Sequence, residues 1–276
     1  MTGTGRASRV PSPDPSANMT VLSLDNVSLH YGPPGGVAVL RDVTLSLARG
    51  DFVSVIGRSG SGKTSLMNLA AGFMPPTSGQ VLVDGRPVTG PGPERAVVFQ
   101  DDALYPWRTV EQNVALPLKL AGRGLTERLA VARAVLASVG LTEHAGKRIW
   151  ELSGGQRQRV GIARALAAQP AFLLMDEPLG ALDAMTRDRM HDLLLRLWQD
   201  SHAGALLITH SVEEAVFLST AVVVLAADPG RIVLHERFDF GQRFLAGEDP
   251  RAIKSDPAFI AARERLVATI HETETA

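Results

Sequence analysis

The sequence predicts an α/β fold: a largely parallel sheet, a small antiparallel β part in front of it, and a helical insertion in the middle of the chain. Three observations carry this prediction. Short β-rich runs at the start give way to strands alternating with helical stretches, the pattern that builds parallel sheets. The runs 172–175 and 205–208 are short and wholly apolar, as strands buried on both faces are, and are expected at the centre of the sheet. A glycine-rich segment, 57–64, lies directly between an apolar strand and a helical run.

The elements follow in order. Residues 1–18 are rich in Ser, Pro, Gly and Thr without an apolar run, so they read as a disordered leader, and folding is expected to begin near Met19. Early strands are expected at 27–30, 43–47 and 51–56. Thr109 followed by Gln112 is a capping-box pattern opening a helix over 110–120, and Thr126 and Gly140 bound a second helix over 127–139. These define a helical subdomain of about 101–160 within a main domain spanning 19–235. Beyond 235 the parallel pattern stops. Asp256-Pro257 then caps a last helix running towards Ile270, so 236–276 reads as a C-terminal helical extension.

Composition narrows the function. The chain of 276 residues balances 28 Lys+Arg against 29 Asp+Glu, which provides no electrostatic footprint for nucleic acid, and no nucleic-acid partner is expected. It has no Cys, which excludes thiolate metal sites and cysteine nucleophiles. Its longest apolar run, 221–227, falls far short of the roughly twenty residues of a membrane span.

Gly57-Arg58-Ser59-Gly60-Ser61-Gly62-Lys63-Thr64 fits G-x-x-x-x-G-K-[ST] in the strand–turn–helix context that this pattern needs, with Ser65 and Leu66 continuing into the helix. Glycines let several backbone N–H groups face one anion, and a helix N-terminus adds partial positive charge. Lys63 is then placed to reach terminal phosphates and Thr64 to offer a hydroxyl to Mg²⁺. The bare pattern arises by chance in roughly one chain of this size in a hundred. Downstream, the apolar strand 172–175 ends in Asp176-Glu177 at the carboxyl edge, where α/β ligands bind. Asp176 is read as holding Mg²⁺ through its water shell. Strand alternation points Glu177 to the other side, free to deprotonate a water against the γ-phosphate. Without the glycine-rich loop, an acidic pair after a strand is more often a helix cap.

Leu152-Ser153-Gly154-Gly155-Gln156 occurs by chance in well under one chain in a thousand of this length, and it opens a helical run at 157–167. It is a second anion-binding helix start, for which one chain turning over one nucleotide has no use. Together with Gln100 after the strand at 97–99, Leu182-Asp183 and the strand-end His210, this order resembles the ATP-binding cassette family over almost the whole folded chain.

The resemblance implies a P-loop NTPase (RecA-like) core with ATP and Mg²⁺ as cofactors. It implies that Tyr31 stacks on adenine, that Gln100 joins the Mg²⁺ shell and senses the γ-phosphate, and that His210 is the γ-phosphate switch. Hydrolysis falls to Glu177, His210, Gln100 and Lys63, and the metal to Thr64, Gln100 and Asp176. The nucleotide falls to Tyr31 and to the loop from Gly57 through Ser65. Ser153, Gly154, Gly155, Gln156 and Asp183 close on it from a second copy in a head-to-tail homodimer. Leu179-Gly180 departs from the common pattern before Asp183.

Gly90-Pro91-Gly92-Pro93-Glu94-Arg95, Arg148-Ile149-Trp150, Asp228-Pro229-Gly230 and Arg243-Phe244 further resemble the nitrate, sulfonate and taurine importers, nearest the taurine ATPases. That likeness implies uptake of taurine, with alkanesulfonate or nitrate as alternatives. It also implies a peripheral position on the cytoplasmic face of the inner (plasma) membrane, and an integral permease docked on the segment from Asp101 to Trp107. A periplasmic or extracellular solute-binding protein is an indirect partner. The rival readings are a P-loop kinase or GTPase, which lacks the 152–156 segment, a cassette ATPase acting on nucleic acid or the ribosome, and a non-hydrolysing regulatory subunit.

Overall fold

Alternating apolar residues build two sheets, seen in a computed structural model that describes residues 20–275 apart from 33–35, 102 and 181. The expected leader at 1–18 lies outside the described residues, as does Asp102 of the segment expected to dock a permease. Strands β1 (Val21–Tyr31) and β2 (Val37–Ala48) pair antiparallel, with Leu22 opposite Leu47 and Leu24 opposite Leu45. After β3 (Phe52–Gly57) and helix α1 (Lys63–Ala71), strands β4 (Ser78–Val83) and β5 (Arg86–Pro87) complete a four-stranded sheet ordered β2-β1-β4-β5. This is the antiparallel part expected in front.

The second sheet has six strands, ordered β10-β9-β3-β8-β7-β6. It comprises β6 (Arg95–Val98), β7 (Phe172–Asp176), β8 (Gly204–Ile208), β9 (Ala221–Ala226) and β10 (Arg231–Arg237) together with β3. All run parallel except β10, which folds back antiparallel on β9, so the parallel pattern ends a strand earlier than expected. β8 and β3 form the centre. β7 lies one place out, yet it is fully buried because side chains cover both its faces. Phe172 and Leu174 pack with α1 in the layer between the two sheets, while Leu173 and Met175 face the large helical core on the other side.

That helical core contains α2 (Val110–Val114), α3 (Leu116–Leu120), α4 (Leu125–Ser138) and α5 (Gly154–Ala167). The predicted capping box is present, Thr109 and Gln112 each bonding the other's backbone N–H. The helix expected over 110–120 is broken at Ala115, because Pro117 has no N–H to donate to the preceding turn. Helix α4 starts at Leu125 after Gly124, so Thr126 is inside it and not its cap. Helices α6 (Ala184–Ser201), α7 (Val212–Leu218), α8 (Phe240–Leu245), α9 (Pro250–Ser255) and α10 (Pro257–Thr275) follow. Asp256 accepts the Ala258 N–H at 2.8 Å, as expected for the start of the last helix. Phe240, Phe244, Ile253, Phe259 and Leu266 are buried in the same core as the sheet. The C-terminal helices are therefore built into the fold: truncating Phe259 to Ala costs about 3–5 kcal/mol.

Candidate active site

Three adjacent parallel strands, β3, β8 and β7, end at one edge of the sheet and deliver the glycine-rich loop, His210 and the pair Asp176-Glu177 side by side. The loop bends because glycine allows it. Gly60 and Gly62 take φ of 82° and 89°, and a Cβ on Gly62 would lie 2.7 Å from Leu40 Cδ2. Helix α1 begins with no side-chain cap and no acid in its first turn, so its N-terminal donors are left for a ligand. Around it lies a cavity of about 350 Å³ lined by Ser59, Gly60, Gly62, Lys63, Thr64 and Ser65, with Val39, Glu177 and His210 across from them.

Lys63 is almost wholly buried, its Nζ donating to the carbonyls of Gly57 at 2.8 Å and Arg58 at 2.7 Å. Burial pushes its ammonium pKa down, opposed by the carboxylates of Glu177 and Asp176. Asp176 ends β7 on its α1 side, beside the Thr64 side chain. Burial holds its carboxyl above the usual range. Thr64 opposes the shift, Glu177 adds to it, and Lys63 and His210 oppose it.

Glu177 departs from the alternation expected of it. Its φ of 43° turns the chain as it leaves the strand, so its carboxylate returns to the cavity, where Oε1 lies 2.6 Å from His210 Nε2. Both acids thus face the loop. Tyr31, 46% exposed, joins through its hydroxyl, 3.1 Å from Ser65 Oγ. Ser61 is fully buried under the turn.

The other predicted residues stand apart from the cavity in a single chain. Gln100 is exposed two residues beyond the end of β6. Asp183 caps α6, accepting the Thr186 N–H at 3.0 Å, and this bond holds its carboxyl below the usual range. Ser153 caps α5, which begins at Gly154 and not at Arg157, and it exchanges bonds with Gln156. Ser153 Oγ accepts from the Gln156 backbone, so its own proton is still available to donate. A Cβ on Gly155 would lie 2.9 Å from Thr186 Cγ2, so a larger residue there would displace the Thr186 side chain.

Sequence reasoning missed three supports. His144 Nε2 lies 3.0 Å from Gln156 Nε2. Buried Asn113 clamps the segment after Gln100, accepting from the Tyr105 N–H and donating to the carbonyls of Tyr105 and Thr109. Arg148 donates to the Trp107 carbonyl at 2.6 Å. An Asn on the apolar face of α2 was a readable signal. The other two had none.

A glycine-rich loop at a helix start, facing two acids and a histidine across a parallel sheet edge, defines a P-loop nucleotide-binding domain. The chain belongs to the ABC transporter family, whose pattern matches residues 40–180. It is 56% identical over 253 residues to the taurine import ATP-binding protein TauB of Pseudomonas syringae pv. tomato, covering 91% of this chain and 96% of that protein. It is 55% identical over 258 residues to TauB of Mesorhizobium japonicum, covering 94% and 100%. Among solved structures, the dimeric bacterial ABC transporter cassette MJ0796 superposes with a TM-score of 0.69 at 33% identity, covering 78% of this chain and 98% of that one. The same cassette has been solved bound to ADP and Pi, with the same TM-score at 32% identity and the same coverage.

Proposed function

We propose that this chain is the ATP-hydrolysing subunit of an importer for a small sulfonate, taurine first, with alkanesulfonate or nitrate the next alternatives. The observation that carries the hydrolytic half is the convergence of Lys63, Thr64, Glu177 and His210 on one cavity. The solute half is supported by the relatives, which are named for taurine import over more than nine-tenths of this chain's length.

The residues fit a magnesium nucleotide. Free donors at the start of α1 suit phosphate, and the neighbouring oxygens of Thr64 and Asp176 are the hard ligands that would hold Mg²⁺, with Gln100, outside the cavity in the single chain, assigned to the same shell by the family resemblance alone. When bound, the metal neutralises charge on the phosphates. Lys63 presents its ammonium to the terminal phosphates, and Tyr31, anchored through Ser65, offers its ring to the base. Glu177 orients a water and takes its proton at a carboxylate oxygen, and His210, the γ-phosphate switch of this reading, holds that carboxylate in place.

In a head-to-tail homodimer, Ser153, Gly154, Gly155, Gln156 and Asp183 of one copy close over the nucleotide of the other. Leu104, Tyr105, Pro106 and Trp107 form an apolar cluster clamped by Asn113 and Arg148, a surface costly to leave in water, and we assign it to the permease. No helix among the described residues is long and apolar enough to cross a membrane. A peripheral position on the cytoplasmic face, with a solute-binding protein acting across the membrane, follows from this reading.

The test is genetic. A strain lacking this gene is expected to lose growth on taurine as sole sulfur source, and to regain it from the wild-type chain but not from Lys63→Ala. Unchanged growth on taurine overturns the solute assignment, and rescue by Lys63→Ala overturns the hydrolytic one.

A further inference from the structure

Behind the cavity lies a polar cluster that the hydrolytic reading does not use. Thr209, Glu214 and His191 are each only 4% exposed, yet they come from three elements: the end of β8, helix α7 and helix α6. The Thr209 hydroxyl donates to Glu214 Oε2. His191 Nε2 lies 3.2 Å from Glu214 Oε1, so both carboxylate oxygens have a partner. Thr209 Oγ1 also accepts the Ser211 N–H at 3.1 Å, and Ser211 Oγ accepts the Glu214 N–H at 3.2 Å. The cluster continues outward through Asp188, whose Oδ1 is 3.8 Å from His191 Nδ1, to Lys254 of α9 and on to Glu213.

Residue 210 sits between the two bonded residues. His210 itself points the other way, half-exposed, with its ring against Glu177. A buried carboxylate is costly unless fully paired, and well-packed apolar side chains fill such a space as stably. What the polar set adds is direction: each hydrogen bond fixes a rotamer, and together they hold the backbone on both sides of His210.

We infer that Glu214 is a positioning residue for hydrolysis. Through Thr209 and Ser211 it sets the backbone that carries His210, and through His191 it ties that backbone to α6, the helix capped by Asp183. The inference rests on the reading of His210 as the γ-phosphate switch, and the test separates the two.

Thr209→Val keeps the volume and branching of the side chain and removes only the hydroxyl. In the purified full-length chain it is expected to lower kcat about 10- to 100-fold, the scale of a slightly misplaced catalytic group. KM for ATP is expected to stay within about twofold, and Thr209→Ser to restore turnover to within about twofold. In a His210→Ala background the same Val substitution is expected to add less than about twofold, because residues acting through one group are not additive. Equal losses with and without His210 overturn the inference, as does a folded Thr209→Val chain with normal kcat.

A second readout does not depend on activity. The chain has seven His, so in ¹³C-histidine-labelled protein the His210 ring signal is identified by its loss in His210→Ala. Thr209→Val is expected to shift that signal, and an unmoved signal in the folded variant overturns the inference. Should His210→Ala leave turnover unchanged, the switch reading fails, and the ring signal still decides whether Thr209 positions it. His191→Leu, made on α6 with Thr209 intact, carries the same two measurements if Thr209→Val does not fold.

Discussion

Replacing Trp107 by Ala is expected to separate hydrolysis from uptake, and the structure sets the size of both effects. The side chain is 67% exposed, meeting Tyr105 edge-on with ring centroids 5.4 Å apart. The bond from Arg148 goes to the Trp107 carbonyl, which Ala keeps. A Trp buries about 150–250 Å² when fully covered, so the buried third contributes about 1–2 kcal/mol at about 25 cal/mol per Å². Set against a stability of about 5–15 kcal/mol, the variant stays folded. The exposed two-thirds is worth about 2.5–4 kcal/mol when a partner covers it, or about 10²- to 10³-fold in affinity. Turnover of the purified variant is therefore expected near wild type, while uptake of labelled taurine and co-purification with the permease fall sharply. Equal loss of turnover and uptake places Trp107 in the hydrolytic core, and unchanged uptake removes 101–107 from the docking surface.

Glu177→Gln is expected to bind ATP and lose about 10²- to 10⁴-fold in turnover, the usual loss of a general base, with size-exclusion chromatography showing an ATP-dependent dimer. Full activity removes Glu177 from the mechanism. Tyr31→Ala should weaken ATP by about 1–3 kcal/mol without abolishing turnover at saturation, and GTP should substitute, since stacking reads only a π-face. Strict ATP preference in a competition titration means that another group reads the base edge. Asp176→Asn should raise Tm of the isolated chain at neutral pH. The folded carboxyl is held above its unfolded value by burial, so the stability of its protonated form is complete below the unfolded pKa and lost as pH rises through the folded one. Melting curves should converge as pH falls below the ordinary carboxyl range, and a constant difference across pH refutes this origin.

The legible part of the site is the part written in consecutive residues. Gly57 through Ser65, the acids at the end of β7 and His210 two residues past β8 each lie at the end of an apolar strand, and adjacent parallel strands bring those ends together. Strand order within the sheet was less legible. A wholly apolar run reports burial on both faces, which β7 has one place from the edge as fully as β8 has at the centre. Glu177 shows a limit of another kind: alternation describes extended backbone, and a single residue at φ of 43° ends its authority one position past the strand.

Apart from Asn113, the supports were not legible because they join residues far apart in the chain. His191 meets Glu214 across 23 residues, and Arg148 reaches Trp107 across 41. No local periodicity records such a pairing, and each residue taken singly reads as an ordinary helix or loop position. The ligand-facing groups lie at strand ends, where the chain must turn and side chains become free of the core. Asn113, His191 and Glu214, which support them, lie on helices, where position is set by packing against other elements. A sequence reading therefore recovers the groups that face the ligand sooner than the groups that hold them in place.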